Sequence, residues 1–440
     1  MKLEVKENSK NYACSVVRIG QVFDIEGADN IKRVVVNGNN VVVSKDVKEG
    51  ETMLYFVSGT QLNEEYCSKN NLYDKAEENY DKDKRGFISF RQRRVKALKL
   101  RGVISDGMLM PLTSLLPFLE PTSINSLKIG DEFTDINGNS LCEKYIVKIP
   151  QSQNSKVQKS VKINRLVDNQ FYLHGDTDNF RKNAHKINEN DVIGIHYKKH
   201  GTSAVIGNVL VNEPLTWKEK LAKFFGVKVN KKKYDIIYSS RKVIKNGYLN
   251  PTQGEGFYGE DIWGVVAAEV GPLIPKNWTL YGEILGYTPS GNPIQGKYDY
   301  GCKPGEHKFY VYKISVVNLD GEVIYLSDKQ IDEYYEKVGL PFKDTLLFYG
   351  VAIDLFENIR HDVNDKVLGR YFNEDFVKCL ESRFNEKDCY MCVNKVPEEG
   401  IIIRKESLYE YEAYKLKSKK FLLMESDEQE KEISNIEDEG

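Results

Sequence analysis

The segment Ile193-Gly194-Ile195-His196-Tyr197-Lys198-Lys199-His200-Gly201-Thr202-Ser203 runs a short apolar strand into a lysine-rich turn. A lysine at a strand end, followed by a tight glycine turn and hydroxyls, suits covalent catalysis. A lysine amine attacks phosphorus or carbonyl carbon only when neutral, so its pKa must fall from ~10.4 through desolvation or nearby cations. Gly201 lets backbone amides approach a phosphate, and Thr202 and Ser203 can add donors. The same residues also describe an exposed basic turn, so the rest of the chain must decide.

The chain has 440 residues, 40% hydrophobic and 29% charged, enough apolar material for real cores. At ~100–200 residues per domain, two to four domains are expected. No run of ~18 apolar residues occurs, so no membrane span is expected. Met1–Cys14 has no apolar signal core, and the seven cysteines are an odd, low count, so a reduced cytoplasmic chain is expected. The net charge of −2 hides a segregation. The last sixteen residues carry eight acids and one lysine, a net −7, which leaves +5 on the body. Lys84–Arg101 holds eight basic residues and no acid, a candidate phosphate-contact surface or a solvated strand pair.

Upstream of the lysine segment, the first 145 residues read as β. Short runs at Cys14–Ile19, Val34–Val36, Val41–Ser44, Thr52–Val57, Phe87–Phe90 and Gly107–Met110 are separated by turns such as Asn37-Gly38. A small OB-type barrel over 1–148 fits, with 63–84 as a long loop or short helix pair. Residues 149–163, rich in Gln, Ser and Lys, read as a linker. Residues 164–424 read as one α+β domain, with helices at Leu215–Phe225, Asp261–Val270 and Asn373–Phe384 and buried strands at Tyr310–Val317, Ile401–Arg404 and Tyr414–Leu416. The acidic tail 425–440 is expected to be disordered. Cys389-Tyr-Met-Cys392 has no second ligand pair and reads as two thiols. The fold class is therefore multidomain α+β: an N-terminal OB-like β-barrel, then a larger α+β domain.

Five further segments follow the lysine in order: Ser239-Ser240-Arg241, Leu280-Tyr281-Gly282-Glu283-Ile284, Lys308–Ile314, Glu399–Arg404 and Ala413–Lys417. The ordered set resembles the nucleotidyl-transfer motifs of covalent nucleotidyltransferases, the polynucleotide ligases and mRNA capping enzymes. Histidine in Lys198-Lys-His-Gly201, together with Thr177-Asp178-Asn179-Phe180-Arg181, resembles the RNA ligases. Arg85–Gly102 and Asp106–Pro111 resemble the N-terminal OB module of Deinococcus-type RNA ligases, a likeness covering roughly residues 10–424. Only 23 residues follow Lys417, too few for a ~100-residue barrel at that end.

The resemblance implies that Lys198 attacks the α-phosphate of ATP to form a lysyl-adenylate. AMP then passes to a 5′-phosphate end, and a 3′-OH RNA end displaces it. Lys415 and Lys417, two apart on a strand, share one face and would contact that phosphate. Glu283 would hold the ribose, or it is a core-edge salt bridge. Tyr312 would stack on adenine, with Phe309 and Tyr310 as alternatives. Glu399 would act on Mg²⁺ (or Mn²⁺) through water, Arg241 would clamp a phosphate, and His200 would orient pyrophosphate or a 5′-phosphate. Tyr197 stands where related RNA ligases often carry glutamate, which puts an adenine contact there in doubt. Arg91, Arg93, Arg94, Lys96, Lys99 and Arg101 are the expected nucleic-acid face. The expected partner is RNA, or an RNA/DNA duplex with a nick, bound by a monomer.

Overall fold

The computed structural model describes residues 1–147, 165–213, 215–229, 231–245, 258–340, 343–356 and 375–431. The expected linker and the last nine residues lie outside these. In the N-terminal module, Cys14–Arg18 (β1), Ile31–Val36 (β2), Asn39–Ser44 (β3), Thr52–Phe56 (β4) and Met108–Pro111 (β5) form where the branched runs predict strands. Asn37 and Gly38 both take positive φ, the geometry of a two-residue hairpin turn, and join β2 to β3. The module's pairing forms separate small sheets, with β1 between β4 and Glu132–Phe133 in one and β2 between Val22–Asp24 and β3 in another. Phe87–Phe90 is not a strand: Ile88 makes one bridge to Tyr73 and is buried, while Phe87 faces solvent. The 63–84 region contains a short helix, Glu64–Lys69 (α1), capped by the Asn63 side chain.

Two antiparallel sheets carry the rest. One runs Glu412–Lys417 (β13), Gly400–Lys405 (β12), Val192–Lys198 (β6) and Leu346–Val351 (β11), with Asp178–Asn179 added parallel to β13. The other runs Lys232–Ser239 (β8), Thr202–Asn212 (β7), Trp278–Gly286 (β9) and His307–Val317 (β10), edged by Val323–Tyr325. Side chains alternate across each strand. In the first sheet Ile193, Ile195, Ile401, Ile403, Tyr414 and Leu416 point into a core with Phe180, Phe376 and Leu380. In the second, Ala204, Ile206, Leu280, Ile284 and Ile314 pack on helices Ile262–Val270 (α3) and Asp328–Val338 (α4). The remaining faces look at one another across a cleft.

The helix predicted at 215–225 forms as Trp217–Phe224 (α2), but none of its residues is buried. The expected disordered tail starts as structure. Lys419–Glu430 (α5) is helical, and the Ser418 side chain caps it by accepting from Phe421 N. Ser426 and Gln429 are buried against the N-terminal module, so the acids of 425–430 belong to a packed helix.

Candidate active site in the cleft between the sheets

The strand register sets the site. Lys198 sits opposite Gly400, and Gly400 opposite Lys417, so the two lysines flank a position without a side chain. A Cβ on Gly400 would collide with the Leu416 carbonyl and Lys417 Cα. One step along the cleft face, His196 faces Ile402, and Ile402 faces Lys415. On the facing sheet Glu283 is opposite Ser203 and Tyr310. The cleft is lined by His174, Lys198, Ser203, Arg241, Glu283, Tyr310, Tyr312 and Lys415, among others.

Glu399 is the pivot. Its carboxylate is 1% exposed and lies 2.7 Å from Lys198 Nζ, 3.4 Å from His200 Nδ1 and 3.9 Å from Lys417 Nζ. Its backbone carbonyl accepts from Ser418 N, which ties it to the start of α5. His200 is buried edge-on between Tyr298 and Phe421, 5.0 and 5.1 Å away, and its N–H donates to the Tyr300 hydroxyl. It is packed behind Glu399 and is not part of the cleft lining. Gly201 is required by crowding: a Cβ there would strike the Ile284 carbonyl and the Glu283 side chain. Its own carbonyl accepts from Gln295 Nε2 at 2.9 Å.

Tyr312 occupies a bulge. Tyr281 pairs with Lys313 and Gly282 with Val311, so Tyr312 is the extra residue and stands in the cleft. Burial, and then the Glu283 charge, push its hydroxyl pKa up. Tyr310 also lines the cleft but packs into a cluster with Leu285, Tyr298 and Phe421. Arg241 follows β8 and is ion-paired with Asp176. Tyr197 lies against the Tyr390 ring, 5.5 Å between centroids.

A second cleft adjoins the first, sharing Lys198, Arg241 and Lys415, and includes Tyr12, Ser58, Lys144 and Tyr145 of the N-terminal module. Residues 177–181 form the seam between modules. Lys10 pairs with Asp178 at 2.7 Å, Asn11 exchanges hydrogen bonds with Thr177 and Asn179, and Arg181 donates to the Gly38 carbonyl.

The expected nucleic-acid face divides. Arg94 is 1% exposed: it donates to the Gln429 side chain and the Ser426 carbonyl of α5 and lies over the Tyr145 ring. Lys96 pairs with Glu430 and Arg93 with Glu64. These three hold structure together, and Arg94 is not available to a phosphate. Arg91, Lys99 and Arg101 remain exposed.

Sequence reasoning missed a buried ion network at the far end of the cleft. His196 lies between Asp328, at 3.0 Å, and Asp344, at 3.3 Å. Lys199 pairs with Asp344, and Arg404 pairs with Asp328 at 2.9 Å. Burial disfavours the His196 charge, but the two carboxylates outweigh it and raise its pKa to about 10. Burial, then the Arg404 charge, lower Lys313 to about 7 inside a ring of Tyr281, Tyr325 and Tyr411. Asp328 is the first residue of α4 and Asp344 precedes β11, both in unremarkable polar contexts, so no local signal marks them. Cys389 and Cys392 are free thiols.

The donor set suits a hydrated divalent cation. Among the described residues no group of three or more His, Cys, Asp or Glu side chains could hold a metal by itself. The Glu399 carboxylate faces the region between the lysines, where a cation would draw its other ligands from phosphate and water. No helix among the described residues is long and apolar enough to cross a membrane.

Comparison with known proteins gives a consistent picture at the level of the fold. No curated protein matches the sequence. An OB-fold domain family matches residues 13–112. The structure is similar to Naegleria gruberi RNA ligase with pyrophosphate: 18% identity, TM-score 0.57, covering 96% of this chain and 100% of that one. A lysine-to-alanine mutant of that ligase with ATP and Mn gives 16% identity and a TM-score of 0.55, over 97% and 99% of the two chains. Its lysine-to-methionine mutant with AMP and Mn gives 16% and 0.56, over 93% and 97%. The chain is thus an α+β protein with an N-terminal OB-fold domain and a ligase-like fold over nearly its whole length.

Proposed function

We propose that the protein is an ATP- and Mg²⁺- or Mn²⁺-dependent RNA ligase that works through a lysyl-adenylate at Lys198. The observation that carries this is the Lys198–Glu399 pair in a two-sheet cleft, with Lys415 and Lys417 on the same sheet as Lys198 and Glu283 on the facing one. Lys198 must lose a proton before its Nζ can attack, and Glu399 at 2.7 Å is placed to take it. Attack forms the P–N bond and breaks the bond to pyrophosphate. Lys415, Lys417 and Arg241 offset the charge that gathers on the phosphate oxygens. Tyr312 supplies the face for the base, and Glu283 accepts from the ribose hydroxyls. His200 keeps the Glu399 carboxylate aimed. A divalent cation beside Glu399 would supply charge neutralisation at the α-phosphate. AMP then moves to a 5′-phosphate, and a 3′-OH RNA end displaces it, with a nick in a duplex as the expected substrate.

The test is incubation with α-labelled ATP or GTP and Mg²⁺. Label from ATP should appear on wild type and be absent from Lys198→Ala. Label from GTP alone would make the protein a capping-type guanylyltransferase, a reading that Tyr197 at the usual glutamate position keeps open. Sealing of DNA nicks but not RNA nicks would make it a DNA ligase. Absence of label with every nucleotide would leave an RNA-binding protein.

A further inference from the structure

The β7–β8 hairpin leaves the cleft just after Thr202 and returns to it at Ser239. At its far end, residues 215–229 carry α2. The helix exposes Trp217, Leu221 and Phe224 at spacings of four and three, one stripe of its surface. Phe225 extends that stripe, with its ring 5.5 Å from Phe224. Trp217 is 71% and Phe224 83% exposed, so these rings support no core among the described residues. A capping box between Thr216 and Glu219 holds the helix locally.

The surrounding charge identifies the complement. Residues 215–233 contain seven lysines (218, 220, 223, 228, 231, 232, 233) and a single acid, Glu219. Glu219 is ion-paired with Lys231 and engaged in the cap. Exposed rings interleaved with lysines match a strand that offers both phosphates and base faces. Lys233 pairs with Asp235 at 3.5 Å, so a purely apolar protein partner would still meet the five other lysines here.

Resting on the ligase reading, we propose that this arm binds a single-stranded stretch of RNA running on from the ends being joined. Its lysines meet the phosphates, and Trp217, Phe224 and Phe225 stack on unpaired bases. Thr202 to Asn212 spans roughly 33 Å at ~3.3 Å per residue, so the contact is with a flank of the substrate well away from Lys198 and not with the ends themselves. The arm thereby favours substrates with an unpaired flank over blunt, fully paired ones.

The test compares wild type with Trp217→Ser/Phe224→Ser/Phe225→Ser and with Lys218→Gln/Lys220→Gln/Lys223→Gln. Binding is read by anisotropy on a nicked duplex with and without a 12-nucleotide RNA extension, at several salt concentrations. Wild type should prefer the extended substrate. The aromatic variant should lose roughly tenfold or more on the extension and little on the blunt duplex. The lysine variant should shrink the salt slope by about two. Adenylation should be unchanged in both, since none of these residues lines the cleft. Affinity for the extension within twofold of wild type in both variants would overturn the proposal. So would a wild-type dimer that the aromatic variant dissolves, or capture of wild type by anionic vesicles that RNA does not relieve. Label on Lys198 with unaltered RNA binding rejects the arm alone, whereas no label with retained arm-dependent RNA binding rejects the ligase reading.

Discussion

His196 keeps its proton because two buried carboxylates face it, and the same arrangement makes stability depend on pH. Its folded pKa, about 10, lies above the unfolded value of ~6.5. A raised pKa means the stabilisation is fully present below pH ~6.5 and is lost as pH climbs towards 10. His196→Gln leaves Asp328 and Asp344 short of a cation. It should cost on the order of 3–5 kcal/mol at pH 6 and much less at pH 10, as read by urea titration. A pH-independent loss would mean that His196 acts through shape alone. At the turn after Lys198 the constraint is steric. Gly201→Ala should cut lysyl-adenylate formation at least tenfold, because a Cβ there forces the turn off the Glu283 strand. A rate within twofold of wild type would refute that crowding.

Among the elements, what could be read in advance follows from local periodicity. The apolar run Ile401–Ile403 and the alternation in Tyr414–Leu416 identify buried strands, and the i, i+2 spacing of Lys415 and Lys417 puts both on the face opposite Tyr414 and Leu416. The ordered lysine, carboxylate and lysine motifs then locate the cleft. Three features escaped the sequence because they are made by tertiary contact. The Tyr312 bulge depends on the register between β9 and β10. The ion network joins residues over 200 apart in the chain, from His196 to Arg404. The burial of Arg94 needs α5, which composition alone marks as a solvated tail. The basic stretch is therefore two things. Arg94→Ala should destabilise the fold by about 1–3 kcal/mol and leave the salt slope of RNA binding unchanged. Lys99→Ala with Arg101→Ala should do the reverse, reducing the slope by up to about two. If Arg94→Ala flattened the slope and spared stability, the packing of α5 on this module would be wrong.

For the whole molecule, α5 clasps two modules and reaches the site. It pairs Glu425 with Lys417 at 2.7 Å, Glu430 with Lys96, and Gln429 with Arg94. Deleting residues 425–440 removes these contacts together with the whole of the −7 charge. The truncated protein should melt several degrees lower and bind RNA more tightly at low salt, with the two affinities converging at high salt. Unchanged RNA affinity at low salt would show that the acids do not compete for the basic surface.

The order of strands in the first sheet also sets a timetable for synthesis. β6 carries Lys198, but its neighbour β12 begins 202 residues after it, at Gly400. At ~5–20 residues per second, the lysine strand waits roughly 10–40 s on the ribosome before β12 arrives. During that time the edge of β6 that pairs with β12 stays uncovered. A stalled or prematurely ended chain thus holds Lys198 without Glu399, Lys415 or Lys417. Fragments released early lack the completed cleft and leave that strand edge open to aggregation and proteolysis.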